Sequence, residues 1–277
     1  MGFSINTNIN AMTANLHSTL NSMNADRSLG ALSSGSSINS AAYNASGLGI
    51  ANQLSAQVSG LGQSIMNAND SIGLIQVADG GLQGYQNILQ DVRVLTLQAS
   101  NGTLNDDQRA FIQQEIDTLL EAADDIAQNT QYNGINLLDG SGGSSGDGTF
   151  VTQSGANAGN EQSVTIGDAQ TSSILSATID VTTQANASSS LDTLDEAIES
   201  IGSMRADLGA AQNQLMSSIR NTSVTQINVA AAESQIMDID FAAESANFSQ
   251  ANLRAQIGSF AQAQANASAA SVTNLFR

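Results

Sequence analysis

The chain has 277 residues, contains no cysteine, proline, tryptophan or lysine, and carries a formal net charge of −18 at pH 7. Because this charge repels polyanions and no basic stripe is present, binding to nucleic acid or to an anionic membrane surface is not expected. The lack of cysteine excludes disulfides and thiolate chemistry, and no run reaches the ~18 apolar residues that a membrane span needs.

The charge is distributed very unevenly along the chain. Residues 1–69 contain one acid and one base, Asp26 and Arg27, and residues 245–277 contain Arg254 and Arg277 but no acid. The other 24 of the 25 acidic residues lie between these ends, together with only four arginines. Both ends also carry apolar residues at helical spacing, and such faces require cover. We therefore expect the two ends to pack against each other and against further copies of the chain.

The first half of the chain predicts three helices. An apolar stripe at spacings of three and four predicts the first, which ends near Gly35 and is followed by a polar connector to Gly47. A second stripe predicts a helix from residue 48 to about 99. Asn105 and Gln108 form a capping box for a third helix, which continues to about residue 129. The first stripe consists of Ile5, Ile9, Met12, Leu16 and Leu20, followed by Met23.

The middle of the chain predicts a small β-region, at about residues 131–182. Asn133-Gly134 is a strong hairpin signal, and β-branched residues predict strands at 149–153, 163–166 and 174–182. Past Ser188 a seven-residue repeat predicts another long helix, and residues 234–240 predict a second connector. The last helix begins at Phe241 and carries Phe248, Leu253, Ile257 and Phe260.

These elements predict a mainly α fold, with long antiparallel, coiled-coil-like helices from both termini and a small β-hairpin region in the middle. We expect residues 1–45 and 235–277 to form an inner domain of terminal helices. Residues 46–234 are expected to form a helical outer domain.

Several separated segments resemble those of bacterial flagellins, the subunits of the flagellar filament. They are residues 4–8, 32–35, 38–42, 45–48, 131–134, 233–242 and 263–267. The resemblance covers about residues 1–140 and 188–277, and it implies a filament whose inner helices line a central lumen. The large variable outer domains of many flagellins are absent here, because only about twenty residues, 167–186, stand in their place.

The resemblance also implies a region related to innate immune recognition, formed by Leu89, Gln90, Asp91 and Arg93. In flagellins that the vertebrate innate flagellin receptor detects, this stretch resembles Leu-Gln-Arg-Val-Arg. Asp91 reverses one of those charges, so weak activation of the receptor is expected.

No pattern in the sequence predicts catalysis, a cofactor or a metal site. His17 is the only histidine and has no cysteine or carboxylate nearby, which favours a solvated or interface side chain. Paired acids such as Asp124 and Asp125 are typical of a solvated helix face. Because the apolar faces of the two terminal helices require cover, their apolar residues, from Ile5 to Leu20 and from Phe248 to Phe260, are our candidates for polymer contacts.

The resemblance implies a secreted structural subunit that polymerises with itself into the extracellular flagellum. Its other expected partners are the flagellar export apparatus, a flagellin chaperone, the filament cap and the hook-junction proteins. Export is expected without a cleaved signal, because residues 1–7 have neither a basic segment nor a continuous apolar one. Two alternatives stay open: a hook-filament junction protein, which has similar termini, and a secreted helical effector or adhesin.

Overall fold

The computed structural model describes residues 7–275, which contain six helices and four short strands. The helices are α1 (Ile9–Ser34), α2 (Ala45–Ala99), α3 (Asp106–Asn129), α4 (Thr171–Ile174), α5 (Gln184–Met237) and α6 (Phe241–Leu275). The strands are β1 (Gln131–Tyr132), β2 (Ile135–Asn136), β3 (Thr149–Gln153) and β4 (Glu161–Thr165). The predicted mainly α fold with a small antiparallel strand region is thus confirmed.

The chain divides into two compact units. The terminal unit comprises Met1–Ala56 and Asn228–Arg277, and the outer unit comprises Gln57–Ile227. The domain boundaries expected from the sequence, after residue 45 and after residue 234, remain a prediction.

In the terminal unit, α1 and α6 lie side by side and antiparallel. Asn8 caps the start of α1 by accepting a hydrogen bond from the backbone of Ala11 at 3.0 Å, and its Nδ2 donates to the carbonyl oxygen of Ala265 at 3.0 Å. At the other end of α1, Ser37 N–H donates to the carbonyl oxygen of Met237, the last residue of α5, at 2.6 Å, and Ile239 N–H donates to the carbonyl oxygen of Gly35 at 3.3 Å. The antiparallel pair is therefore tied at both ends of α1.

In the outer unit, large side chains from three helices, together with side chains from the segment between α3 and α5, form the core. The fully buried ones include Leu82, Tyr85 and Leu89 of α2, Ile116 of α3, and Leu194, Ile201 and Leu208 of α5. The last three are members of the predicted seven-residue repeat, which accordingly marks the buried face of α5. The Arg205 guanidinium of α5 donates hydrogen bonds to Asp79 at 2.7 Å and to Gln86 at 2.8 Å, both on α2.

Several local predictions are confirmed. The capping box at α3 has both of its hydrogen bonds, at 2.8 Å to the Gln108 backbone and 3.0 Å to the Asn105 backbone. Asn133 and Gly134 both have positive φ, 52° and 78°, as a two-residue hairpin of the primed type requires. Strand β3 has the predicted bounds and pairs antiparallel with β4.

The strand predicted at residues 174–182 is wrong. Asp124 of α3 accepts hydrogen bonds from the backbone and hydroxyl of Thr171, at 2.7 and 2.5 Å, where the short helix α4 begins. Beyond it, Ile179 and Val181 are buried, and their backbone groups bond to the side-chain amide of Gln113 at 3.0 and 2.7 Å. The β-branched residues of this segment fill the core while one glutamine side chain replaces a neighbouring strand.

The second connector is shorter than predicted. Helix α5 continues through Ser234 to Met237, so only residues 238–240 separate it from α6. The Ser234 hydroxyl donates to the carboxylate of Asp238 at 2.5 Å. Helix α2 likewise begins at Ala45, three residues before the predicted start.

Candidate functional site

Helices α1 and α6 meet along a seam of small and polar side chains. On α1 the less exposed positions recur at spacings of three and four, and they include Ala11, Ala14, Ser18, Asn21, Ala25, Ser28 and Ala31. The facing positions of α6 include Ala251, Ala255 and Gly258. A Cβ atom added to Gly258 would lie 3.1 Å from Cβ and 3.2 Å from Cα of Ser18. The two backbones therefore approach closely, as small residues at a helix interface permit.

Because the small residues form the seam, the large apolar residues point elsewhere. Seven of the nine predicted polymer contacts are between 47 and 73% exposed. They are Ile9, Met12, Leu16 and Leu20 on α1, and Leu253, Ile257 and Phe260 on α6. Exposed Met23 and Leu29 continue the apolar surface of α1. A soluble monomer rarely exposes so many large apolar residues on one pair of helices.

The other two predicted contacts differ from these seven. Phe248 is half-buried beside the seam, so its side chain contributes to the packing of α6 within the chain. Ile5 lies outside the described residues.

A polar groove on the terminal unit was not predicted from the sequence. It has a volume of about 370 Å³, and its lining includes Arg27, Ser28, Glu244, Asn247 and Arg254. Hydrogen bonds from Ser28 and Asn247, and the nearby charge of Arg27, lower the pKa of the Glu244 carboxyl. The only signal in the sequence was the scarcity of charge at both ends, which makes each remaining charge conspicuous.

The stretch that the resemblance relates to innate recognition, residues 89–93, lies on α2 in the outer unit. Leu89 is fully buried in the core, whereas Gln90 and Asp91 are exposed. Arg93 is partly exposed and forms an ion pair with Asp195 of α5 at 2.5 Å. The structure therefore presents Gln90 and Asp91 to solvent and holds the guanidinium of Arg93 against a neighbouring helix.

Within residues 7–275, no group of three or more histidine, aspartate or glutamate side chains is placed to hold a metal ion. In the same residues, no helix combines the length and the apolar character needed to cross a bilayer.

Long helices from both termini, paired by a narrow seam and covered outside by large apolar residues, define a structural subunit of the class that assembles with copies of itself. The chain belongs to the bacterial flagellin family. Residues 5–142 match the bacterial flagellin N-terminal helical region, and residues 191–276 match the bacterial flagellin C-terminal helical region.

Similar proteins support the assignment to this family. A flagellin of Halalkalibacterium halodurans is 36% identical over 236 residues, which cover 84% of this chain and 85% of that protein. Flagellin FlaB1 of Treponema pallidum is 32% identical in an alignment of 284 positions that covers 99% of each chain.

Two solved structures also resemble the chain. The crystal structure of Bacillus cereus flagellin has a TM-score of 0.51 and 28% identity, covering 61% of this chain and 94% of that one. A flagellar hook-associated protein of Vibrio parahaemolyticus has a TM-score of 0.55 and covers 67% of this chain and 95% of its own. Its identity of 15% shows a shared fold alone.

Proposed function

We propose that this flagellin polymerises into an extracellular flagellar filament for swimming motility, with the outward residues of α1 and α6 as its subunit contacts. The observation that carries the proposal is the exposure of Leu16, Ile257 and Phe260, at 59, 65 and 73%. Burial of a large apolar side chain contributes about 1.5–3 kcal/mol. Repetition of such contacts along a polymer therefore supplies a large driving force. We propose that Ile5 and the exposed part of the Phe248 side chain join the same contact set.

The proposed assembly needs partners before the filament exists. Because its apolar faces are uncovered in the monomer, the chain would need a chaperone in the cell and an export apparatus that carries it outward. A filament cap would then guide its addition, and hook-junction proteins would join the polymer to the hook. Two discrete packings of nearly identical subunits would give filaments of different coil.

The hook-filament junction is the alternative that differs least from this proposal. A junction protein would stop at a few copies, whereas the proposed subunit adds copies without limit. A secreted effector or adhesin would stay monomeric and would gain nothing from the exposed residues on α1 and α6.

Polymerisation is tested by electron microscopy and pelleting of the full-length chain, with and without filament seeds. We expect long filaments from the full chain and soluble monomers from a form that lacks residues 1–45 and 235–277. Short rings from the full chain would favour the junction protein, and persistent monomers would favour the effector.

The contact residues are tested by matched substitutions on exposed helical positions. Leu16→Gln replaces a residue that is 59% exposed in the terminal unit, and Met66→Gln replaces one that is 61% exposed in the outer unit. We expect Leu16→Gln to raise the concentration needed for polymerisation and Met66→Gln to leave it nearly unchanged. Equal effects would remove the special role of the terminal helices.

We also propose that this flagellin activates the vertebrate innate flagellin receptor weakly, because exposed Asp91 presents a negative charge and Arg93 is engaged by Asp195. Leu89 supports the segment from the core, and Gln90 lies beside Asp91. In a reporter-cell assay, Asp91→Arg is expected to increase potency, whereas Asp70→Arg, an equal charge change elsewhere on α2, is not. Full potency of the unmodified protein would contradict the proposal.

A further inference from the structure

The polar groove of the terminal unit lies along one side of the α1–α6 seam. Asn21, Asn24 and Arg27 of α1 face Asn247, Gln250 and Arg254 of α6 across it. Two of the chain's seven basic residues thus line one hollow of about 370 Å³ in a protein of net charge −18. A hollow of this composition is suited to a carboxylate.

The positive charge of the groove is only partly balanced within the chain. The Arg27 guanidinium lies 4.6 Å from the ring centre of Tyr43 and close to Glu244. Glu244 already accepts hydrogen bonds from Ser28 and Asn247. Arg254 is exposed, and its guanidinium makes no hydrogen bond or ion pair with any residue in the range 7–275. Among the described residues, the Arg254 guanidinium at the groove therefore has no ion-pair partner.

The acid that could match it lies on the opposite flank of the same helix pair. Successive residues on a helix project about 100° apart, so around α1 from the seam position Ala25, Asp26 lies about 100° to one side and Arg27 about 160° to the other. Asp26 is exposed, and its carboxylate makes no hydrogen bond or ion pair with the described part of the chain. It is also the single acidic residue of the first 69 positions.

We propose that the groove formed by Arg27 and Arg254 in one copy of the chain receives Asp26 of a second copy. The inference rests on the proposed polymerisation and adds to it an ion pair that fixes the lateral register of the terminal helices. The groove and the acid occupy different sides of one subunit. Such a contact is heterologous, and a heterologous contact repeats into an open polymer when its rotation does not close a ring.

The apolar surroundings explain why this pair would matter. Packing of the exposed apolar residues on α1 and α6 would exclude water from the neighbouring charges, and an unpaired charge in such a layer is strongly unfavourable. A misaligned neighbour would leave both Asp26 and Arg254 without a partner. Apolar contacts tolerate sliding between helices, whereas a charge pair in an apolar layer penalises it.

The proposal is tested by reversing each charge separately in the full-length chain. Arg254→Asp makes the groove negative, and Asp26→Arg makes the opposite flank positive. Each variant alone is expected to raise the critical concentration for seeded polymerisation about tenfold or more, since each places like charges together. The critical concentration is measured by pelleting, and far-UV circular dichroism checks that helix content is retained.

Mixing the two variants separates a contact between copies from one within a copy. In a mixture, the negative groove of an Arg254→Asp subunit can face the positive flank of an Asp26→Arg subunit. The unmodified groove of the Asp26→Arg subunit can in turn face the unmodified Asp26 of an Arg254→Asp subunit. We expect the equimolar mixture to polymerise in alternation at a critical concentration within about threefold of the unmodified protein. A contact inside one chain could not be restored by mixing.

Arg220→Asp and Asp70→Arg serve as matched controls. They make the same charge changes at exposed helical positions of the outer unit, and we expect each to leave the critical concentration within about threefold of the unmodified value. Normal polymerisation of both reversed variants would overturn the ion pair while leaving the proposed filament intact. Impaired single variants without rescue on mixing would also overturn it, because the groove would then take a different partner. Failure of the unmodified chain to polymerise would instead contradict the proposed function itself.

Discussion

The terminal and outer units of this flagellin bury opposite kinds of side chain. The outer unit encloses large residues such as Tyr85, Leu89 and Ile201, all at 0% exposure. Among the described residues of the terminal unit, the buried positions are small or polar apart from one, and they are Ala11, Ser28, Ala31, Ile38, Ala51 and Ala251. One unit therefore has its hydrophobic core inside the chain, and the other leaves most of its large apolar residues exposed.

This difference implies that the stability of the monomer and its assembly depend on different units. A fully buried leucine stabilises the monomer, whereas an exposed one contributes only when another surface covers it. The following experiments test whether the two properties divide between the units as the burial pattern indicates.

The largest effect is expected from truncation of the outer core. Leu208 of α5 is 1% exposed, so Leu208→Ala should cost about 2–5 kcal/mol in the free energy of unfolding, through lost burial and a cavity. Leu16→Ala in the terminal unit should change it by about 0.5 kcal/mol or less, because the side chain is already in water. Urea unfolding of the monomer, followed by circular dichroism, measures both. Equal costs would contradict the division between the units.

A smaller effect is expected from a buried charge that holds the end of α2. Arg109 is 5% exposed and donates to the carbonyl oxygens of Ala99 and Asn101, at 2.9 and 3.0 Å. Arg109→Met leaves these acceptors without their charged donor, and we expect a loss of about 2–3 kcal/mol. Arg220→Met is the control, because exposed Arg220 bonds only to Met216 of its own helix within the described chain. Similar urea midpoints for the two variants would show that the buried arginine is dispensable.

The close approach of α1 and α6 is tested by replacing glycine with alanine at two positions, one in the seam and one outside it. Gly209 of α5 has no atom within 4 Å of an added Cβ, so Gly209→Ala should stabilise its helix by about 0.5–1 kcal/mol. An added Cβ at Gly258 lies 3.2 Å from the backbone Cα of Ser18, and a backbone atom cannot rotate away. Gly258→Ala should therefore separate α1 from α6 at a net cost of about 1 kcal/mol. Hydrogen exchange of the α6 amides measures this local opening, and slower exchange in Gly258→Ala would disprove the close approach.

Periodicity predicted most of the fold because each long helix packs along a regular stripe. Leu194, Ile201 and Leu208 recur every seven residues and are all buried, so the pattern and the packing coincide. Local chemistry was equally informative where one or two residues dictate the backbone, as at the Asn133-Gly134 turn. The failed strand at 174–182 depended on a contact that no local pattern contains, the amide of Gln113 bonded to Ile179 and Val181.

The candidate site was predicted in composition but not in arrangement. The apolar stripe on α1 suggested that the large residues pair the two terminal helices as well as the copies. Pairing within the chain instead uses small residues such as Ser18 and Gly258. The groove between Arg27 and Arg254 was hidden in the sequence, because these residues lie far apart in the chain and meet only when the helices pair. Spacing identifies the faces of one helix, whereas a groove requires the register between two.

The smallest effect concerns a surface charge pair that joins two helices of the outer unit. The hydrogen bond from Arg93 lowers the pKa of the Asp195 carboxyl. A depressed carboxyl pKa stabilises the fold above the unfolded value of about 3.9, and that contribution is lost as the pH falls through the folded value. Asp195→Asn should therefore unfold at a slightly lower temperature than the unmodified protein at pH 7, with the gap closing below about pH 4. Comparing the two proteins at each pH cancels the repulsion among the other acidic residues. A gap that persisted or widened in acid would show that Asp195 acts through packing rather than through its charge.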